Sequence, residues 1–209
     1  MKVTQYEIVC GVERISEQFL VPALEQLLEQ FPFVIHGFHS DNGSEYINRY
    51  VVRLLNKLLI ELTKSRARHS NDNALVECKN GSIIRKHLGY AHIPQHYAAQ
   101  VNLFHQTYLN PYVNYHRPCF FPVVKIDAKG KQYKSYPYAS MMTPYDKLKS
   151  LPKARGFLKQ GLTFDQLDAK AYEISDNEAA KQLKEAKTKL WEAVMKQTNL
   201  SLQAPSLGE

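Results

Sequence analysis

Residues 33 to 65 hold the pattern that most restricts the fold. A short apolar run, FVIHGFH at 33 to 39, is followed by Ile47, Tyr50, Val51, Leu54, Leu55 and Leu58 at helical spacing, and then by LIELTKS at 59 to 65. Both flanking runs are too short for a typical helix and rich in β-formers, so they read as strands; the middle stretch reads as an amphipathic helix. Strand, helix and strand in succession is an α/β arrangement.

The surrounding chain extends this pattern. Val3, Tyr6, Ile8, Cys10 and Val12 alternate imperfectly, which predicts a further strand over 3 to 12. Ser16 offers an N-cap to a helix carrying Phe19, Leu20, Ala23, Leu24, Leu27, Leu28 and Phe31, with Pro22 causing a kink or a later start. RARHSNDNA at 66 to 74 reads as a loop ending in a cap at Asp72 or Asn73, before a helix bearing Leu75, Glu77, Ile83, Ile84 and Leu88. Another helix is expected from about Gln95 towards Tyr115. Beyond Cys119 the character changes: VVKIDAKGKQYKSYPY has two β-like arms about an Asp-Ala-Lys-Gly turn, MTPYDKLKSLP suggests a short helix from Pro144, and residues from about Asp165 to Gln197 suggest one or two helices.

Charge narrows the partner. The chain carries 27 Lys and Arg against 20 Asp and Glu, a formal net charge of +7. Between Arg117 and Lys159 ten basic residues face only Asp127 and Asp146, a local +8. A cationic segment interleaved with Tyr133, Tyr136, Tyr138 and Tyr145 suits a polyphosphate, because cations release condensed counterions and aromatic faces stack on bases. The start, MKVTQYEIVCGVE, lacks a secretory signal and no apolar run is long enough to span a bilayer, so a cytoplasmic protein without a membrane is expected, nucleoid-associated if bacterial. Cys10, Cys78 and Cys119 fit neither a disulfide framework nor a zinc motif and read as packed, reduced thiols. The eight histidines lie between 36 and 116 without zinc-ligand spacing.

HSDNG, at 39 to 43, places Asp41 at the end of the first strand of the β-α-β pattern. Alone, Asp-Asn-Gly is a turn signal. A second acid, Glu77, follows after 35 residues at the start of an expected helix. Metal-assisted phosphoryl transfer needs carboxylates from separate elements converging on hard cations, which makes the pair a candidate metal site.

The string HSDNGSEYIN, followed by TKSRARHSNDNALVECKNGSIIRKHLGY and then NYHRPC, resembles the second half of the catalytic core of DDE-type insertion-sequence transposases and retroviral-type integrases. In that family the second Asp and the final Glu are separated by 35 residues, and the resemblance covers roughly residues 3 to 120. It implies a ribonuclease-H-like α/β fold and two Mg²⁺ or Mn²⁺ ions, ~3.5–4 Å apart, that activate water or a DNA 3′-hydroxyl for in-line attack on a phosphodiester. It assigns Asp41 and Glu77 as catalytic metal ligands. It further implies contacts to the DNA backbone from Lys64, Arg66, Arg68, Lys79, Arg85 and Lys86, to which the basic segment adds Lys129, Lys131 and Lys134. Asn42 and Gly43 shape the turn, Asn73 caps a helix, and His69 and His116 read as satisfied surface or core histidines.

One part of the family pattern is missing. Its first catalytic Asp, which bridges both ions, lies on the first strand of the fold, whereas no aspartate precedes Asp41 in this chain. Two carboxylates ~4 Å apart repel by ~4 kcal/mol at an effective dielectric of about 20. Glu7 and Glu13 fall on a different strand in the family arrangement. The expectation is therefore an N-terminally truncated core lacking its first two strands, over 1–118, then a basic β/loop segment over 119–160, a helical region over 161–198 and a disordered tail over 199–209. Such a chain is a transposase or integrase fragment inactive alone; the alternative is a non-catalytic DNA-binding or multimerising remnant that pairs with itself or with a complete transposase. An active nuclease with a substitute ligand ranks last.

Overall fold

The strand, helix and strand expected between 33 and 65 form a parallel β-α-β unit in the computed structural model, which describes residues 3–40, 45–64 and 80–203. Strand β1 (Gly37–Ser40) runs beside β2 (Glu61–Lys64), Gly37 opposite Glu61 and Ser40 opposite Lys64, joined through helix α2 (Glu45–Lys57). Both strands are shorter than the sequence predicts. In this parallel register Ile35 would face Leu59, and Leu59 sits at φ 56, a left-handed conformation that no strand continues through. The ladder therefore gains only one bond before Gly37, from the Glu61 amide to the His36 carbonyl at 2.8 Å.

Helix α1 (Glu17–Glu29) begins after Ser16 and keeps Pro22 inside, so the later start is ruled out. Ser16 occupies the N-cap position, but its side chain makes no capping bond; its carbonyl instead receives the amides of Phe19 and Leu20. A π-helical turn (Asn80–Arg85) leads into the short α3 (Lys86–Leu88), a 3-10 turn (Gln95–Tyr97) into α4 (Ala98–Phe104), and two further π-turns, His105–Leu109 and Tyr112–His116, complete the helical stretch expected up to Tyr115. A β-hairpin of β3 (Val123–Ile126) and β4 (Gln132–Ser135), the short α5 (Pro144–Lys149), α6 (Phe164–Ala171) and the long α7 (Asp176–Gln203) follow. Helix α7 runs several residues into the expected tail; residues 204–209 lie outside the described residues.

The chain divides into two compact units, each built from distant stretches. Residues 10–104 with 185–209 form the αβ unit, and residues 1–9 with 105–184 form the tyrosine unit. The αβ unit packs Leu24 and Leu28 of α1 against Val51, Leu54 and Leu55 of α2 and Ile60, with Ile35 and Phe38 at the margin. Burying each such side chain contributes roughly 1.5–3 kcal/mol. The tyrosine unit is organised by aromatic rings. Tyr115 packs against Tyr145 with centroids 5.2 Å apart and ring planes tilted by 57°, and meets Tyr6 edge-on, the two hydroxyls 3.2 Å apart, while Leu167 and Ala171 of α6 close the cluster.

The predicted strand over 3 to 12 does not form. No residue from 5 to 12 belongs to a strand; asparagine side chains on the 95–116 helical stretch hold the segment instead. In the tyrosine unit the Glu7 amide donates to Asn114 Oδ1 at 2.9 Å and the Asn114 amide returns a bond to the Glu7 carbonyl at 2.6 Å. Val9 makes the same reciprocal pair with Asn110, at 2.9 and 3.1 Å. Within the αβ unit Gly11 and Asn102 pair likewise, at 2.7 and 2.9 Å. A primary amide matches a peptide unit donor for acceptor, so each rung replaces what a neighbouring strand would supply. The rungs step together: Glu7 and Val9 are two residues apart on the segment, and Asn114 and Asn110 four apart on the helical stretch. The segment thus satisfies its buried backbone without joining a sheet.

Candidate nucleic-acid interface

Asp41, Arg66, Arg68, Glu77 and Lys79 lie outside the described residues, as do Asn42, Gly43, His69 and Asn73. What is described is their approach: β1 ends at Ser40, the residue before Asp41, and β2 ends at Lys64 beside it. Among the described residues no group of three or more His, Cys, Asp or Glu is arranged to hold a metal ion. Arg85 and Lys86 are exposed in the αβ unit, at the junction of the π-turn and α3, and the Arg85 guanidinium lies 5.6 Å from the Tyr90 ring centroid.

Lys129, Lys131 and Lys134 share the β3–β4 hairpin of the tyrosine unit. Residues 123–135 carry four lysines and one aspartate, a net +3. Antiparallel register sets Val123 opposite Ser135, Val124 opposite Lys134, Lys125 opposite Tyr133 and Ile126 opposite Gln132. Side chains alternate across a ribbon, so Val124, Ile126, Gln132 and Lys134 share one face and Val123, Lys125, Tyr133 and Ser135 the other. All but Ser135 are exposed, Ile126 at 67% and Val124 at 58%. The turn explains the sequence that makes it. Asp127 Oδ1 accepts the amides of Lys129 and Lys131 at 2.8 and 2.9 Å, and Gly130 takes φ 78, a left-handed angle that favours glycine. The carboxylate of Asp127 is thereby turned onto the loop amides, and Lys129 and Lys131 stand at the tip.

Two other lysines of the basic segment are engaged elsewhere. Lys149 pairs with Asp168 at 2.6 Å, and Lys147 lies over the Phe121 ring at 5.3 Å. Of the interleaved tyrosines, Tyr133, Tyr136 and Tyr138 are exposed, but Tyr145 is completely buried and donates to Asp168 Oδ1 at 2.6 Å. Tyr145 is therefore a core residue with no face to offer a base. Burial and the bond to Asp168 push its phenol far up, and the Lys149 ammonium and Tyr145 hydroxyl hold Asp168 below the usual carboxylate range.

NYHRPC is a structural hub in this unit. Asn114 grips Glu7, Tyr115 joins the ring cluster, His116 pairs through Nδ1 with Asp176 at 3.1 Å, and Cys119 exchanges backbone bonds with Met142. His116 is thus a satisfied, buried histidine, as the sequence suggests. Cys119 is a buried free thiol, and burial raises the thiol pKa of Cys10. The three asparagines are the functional backbone contacts that sequence reading missed; their signal was amide side chains inside an expected helix, where Asn is unfavourable unless its amide is used.

No helix among the described residues is long and apolar enough to cross a membrane. No protein-family model matches the chain, and no solved structure matches it. It is 41% identical over 85 residues to an uncharacterized protein, y4rM, of Sinorhizobium fredii (strain NBRC 101917 / NGR234), a match covering 40% of this chain and 24% of that protein. The chain thus spans about a quarter of that relative's length.

Proposed function

We propose that this chain carries the second and third acids of a DDE-type transposase or integrase core with a ribonuclease-H-like fold, binds DNA, and does not cleave it alone. The observation that supports the reading is the parallel β1-α2-β2 unit, with Asp41 the first residue beyond the carboxyl end of β1. In parallel α/β sheets, ligands bind outside those strand ends. Glu77 lies downstream of β2, at the 35-residue interval from Asp41.

Carboxylates suit Mg²⁺ or Mn²⁺, which prefer oxygen ligands. Asp41 and Glu77 would hold the ions, and the ions when bound supply activation of water or a DNA 3′-hydroxyl for attack on phosphorus. The donor set is incomplete in this chain, since no aspartate precedes Asp41 to bridge the two ions. The 209 residues alone are therefore expected not to cleave, and a complete transposase partner would supply the first acid.

The test is an incubation of the 209-residue protein with labelled duplex DNA in Mg²⁺ or Mn²⁺. Salt-dependent binding without cleavage or joining is expected. Metal-dependent cleavage that Asp41→Asn abolishes would overturn the inactivity, and absence of binding at low salt would overturn the DNA partner. A second reading, a non-catalytic DNA-binding remnant acting beside a complete transposase, is favoured by the exposed cationic hairpin.

A further inference from the structure

The hairpin's construction raises a question about its stability. A two-stranded hairpin in water is marginally stable on its own, and three strands or a packed face are normally required. Among the described residues β3 and β4 pair only with each other, and neither face is buried. The two faces nonetheless differ in chemistry. One bears two aliphatic side chains, an amide and an ammonium: Val124, Ile126, Gln132 and Lys134. The other pairs Lys125 with Tyr133.

We propose that the hairpin is a ribbon that lies in the major groove of duplex DNA, with the face of Val124, Ile126, Gln132 and Lys134 turned to the base edges. This rests on the DNA-binding reading above and assigns the contact within it. The major groove is ~12 Å wide and admits a two-stranded ribbon, whose strands lie ~4.8 Å apart. Every group on the assigned face has a counterpart on the groove floor. Glutamine bonds bidentately to adenine, an ammonium bonds to guanine O6 and N7, and aliphatic side chains meet thymine methyls. Lys129 and Lys131 flank the tip, where the phosphate walls pass, and Asp127 is occupied by the loop amides. Charge complementarity favours DNA over an apolar protein groove, because the ribbon carries net +3. Lys125, on the opposite face, points to solvent in the complex.

The experiment is a fluorescence-anisotropy titration of the full chain on a mixed-sequence duplex over a range of salt concentrations. Each lost phosphate contact flattens the slope of log K against log salt by ~0.9. Replacing Lys129 and Lys131 together by Gln should flatten it by about 2, whereas Lys125→Gln should leave it unchanged. Adjacent residues separate the faces: Gln132→Glu should weaken binding about tenfold or more, and Tyr133→Glu by less than about threefold, since only the first meets the base edges. Equal effects of Lys125→Gln, or equal losses from the two Glu variants, would overturn the assignment of faces. Binding that persists with an unaltered slope in the Lys129/Lys131 variant would overturn the hairpin as the contact while leaving DNA binding intact. Failure of the unaltered protein to bind DNA would overturn the underlying reading, and tighter binding to single strands than to duplex would overturn the groove. Amide exchange of the Asp127 to Lys131 turn in each variant checks that the hairpin persists.

Discussion

Truncating Asn114 tests how the N-terminal segment is held. Its side chain is 1% exposed, accepts from the Glu7 amide at 2.9 Å, and donates to the carbonyls of Glu7 at 2.6 Å and Asn110 at 2.8 Å. Asn114→Ala strips three backbone groups of this partner at once. Each buried group left unsatisfied costs ~1–3 kcal/mol, and Glu7 is only half-buried, so water recovers part of the loss; a net ~2–4 kcal/mol results. With a urea slope of ~2 kcal/mol/M, the unfolding midpoint followed by circular dichroism falls by roughly 1–2 M. Asn114→Asp is the sharper control. It keeps an acceptor for the Glu7 amide but replaces both donated hydrogens with an oxygen facing two carbonyls. It should therefore lose more than Ala near neutral pH and recover on acidification, when a protonated carboxyl can donate. Deuterium exchange localises the effect, with the Glu7 amide losing protection first. A cost below about 0.5 kcal/mol for Asn114→Ala, the range of an ordinary surface change, together with an unprotected Glu7 amide in the parent protein, would refute the rung.

Acid should destabilise the protein. Burial lowers the pKa of His105 to about 4, so the unfolded chain takes up this proton near pH 6.5 while the folded chain does not; stability is full above about 6.5 and falls by at most ~3 kcal/mol as the pH drops to 4. Asp168, depressed by Lys149 and Tyr145, acts in the same direction: its contribution is present above the ordinary Asp range and is lost as pH falls through the depressed value. Melting temperatures from pH 7 to 4 should decline less steeply for His105→Gln than for the parent, and parallel curves would contradict this. Gly130→Ala puts a Cβ on a φ of 78, costing ~1–2 kcal/mol, and should speed amide exchange in β3 and β4 and weaken DNA binding; unchanged exchange would contradict the turn. Thr163 and Gln166 form a reciprocal capping box on α6, so Thr163→Ala should lose ~1 kcal/mol in urea unfolding, with no loss counting against the cap.

The elements legible in the sequence were those whose neighbours are local. The β-α-β unit follows from a change of hydrophobic period between 33 and 65, and the hairpin from Asp127 and Gly130, which fix their own turn. The segment from Val3 to Val12 was misread because alternating β-formers announce an extended, half-buried chain without saying what pairs with it. Side-chain amides did so here, and only Asn102, Asn110 and Asn114 inside a helix hinted at that. Burial also decided which charges are free: Lys149 is indistinguishable from Lys129 in sequence until Asp168, 19 residues on, reaches it. The acids at 41 and 77 are proposed from spacing and flanks, and they lie outside the described residues.

The claim on which the account depends is that Asp41 and Glu77 serve one metal centre. Mn²⁺ titration of the full chain, with free ion read by electron paramagnetic resonance, measures this without requiring catalysis. A weak site is expected that Asp41→Asn and Glu77→Gln each abolish, with neither variant altering the unfolding midpoint in the absence of metal. Mn²⁺ affinity unchanged in both variants, or sensitive to one and indifferent to the other, would contradict it.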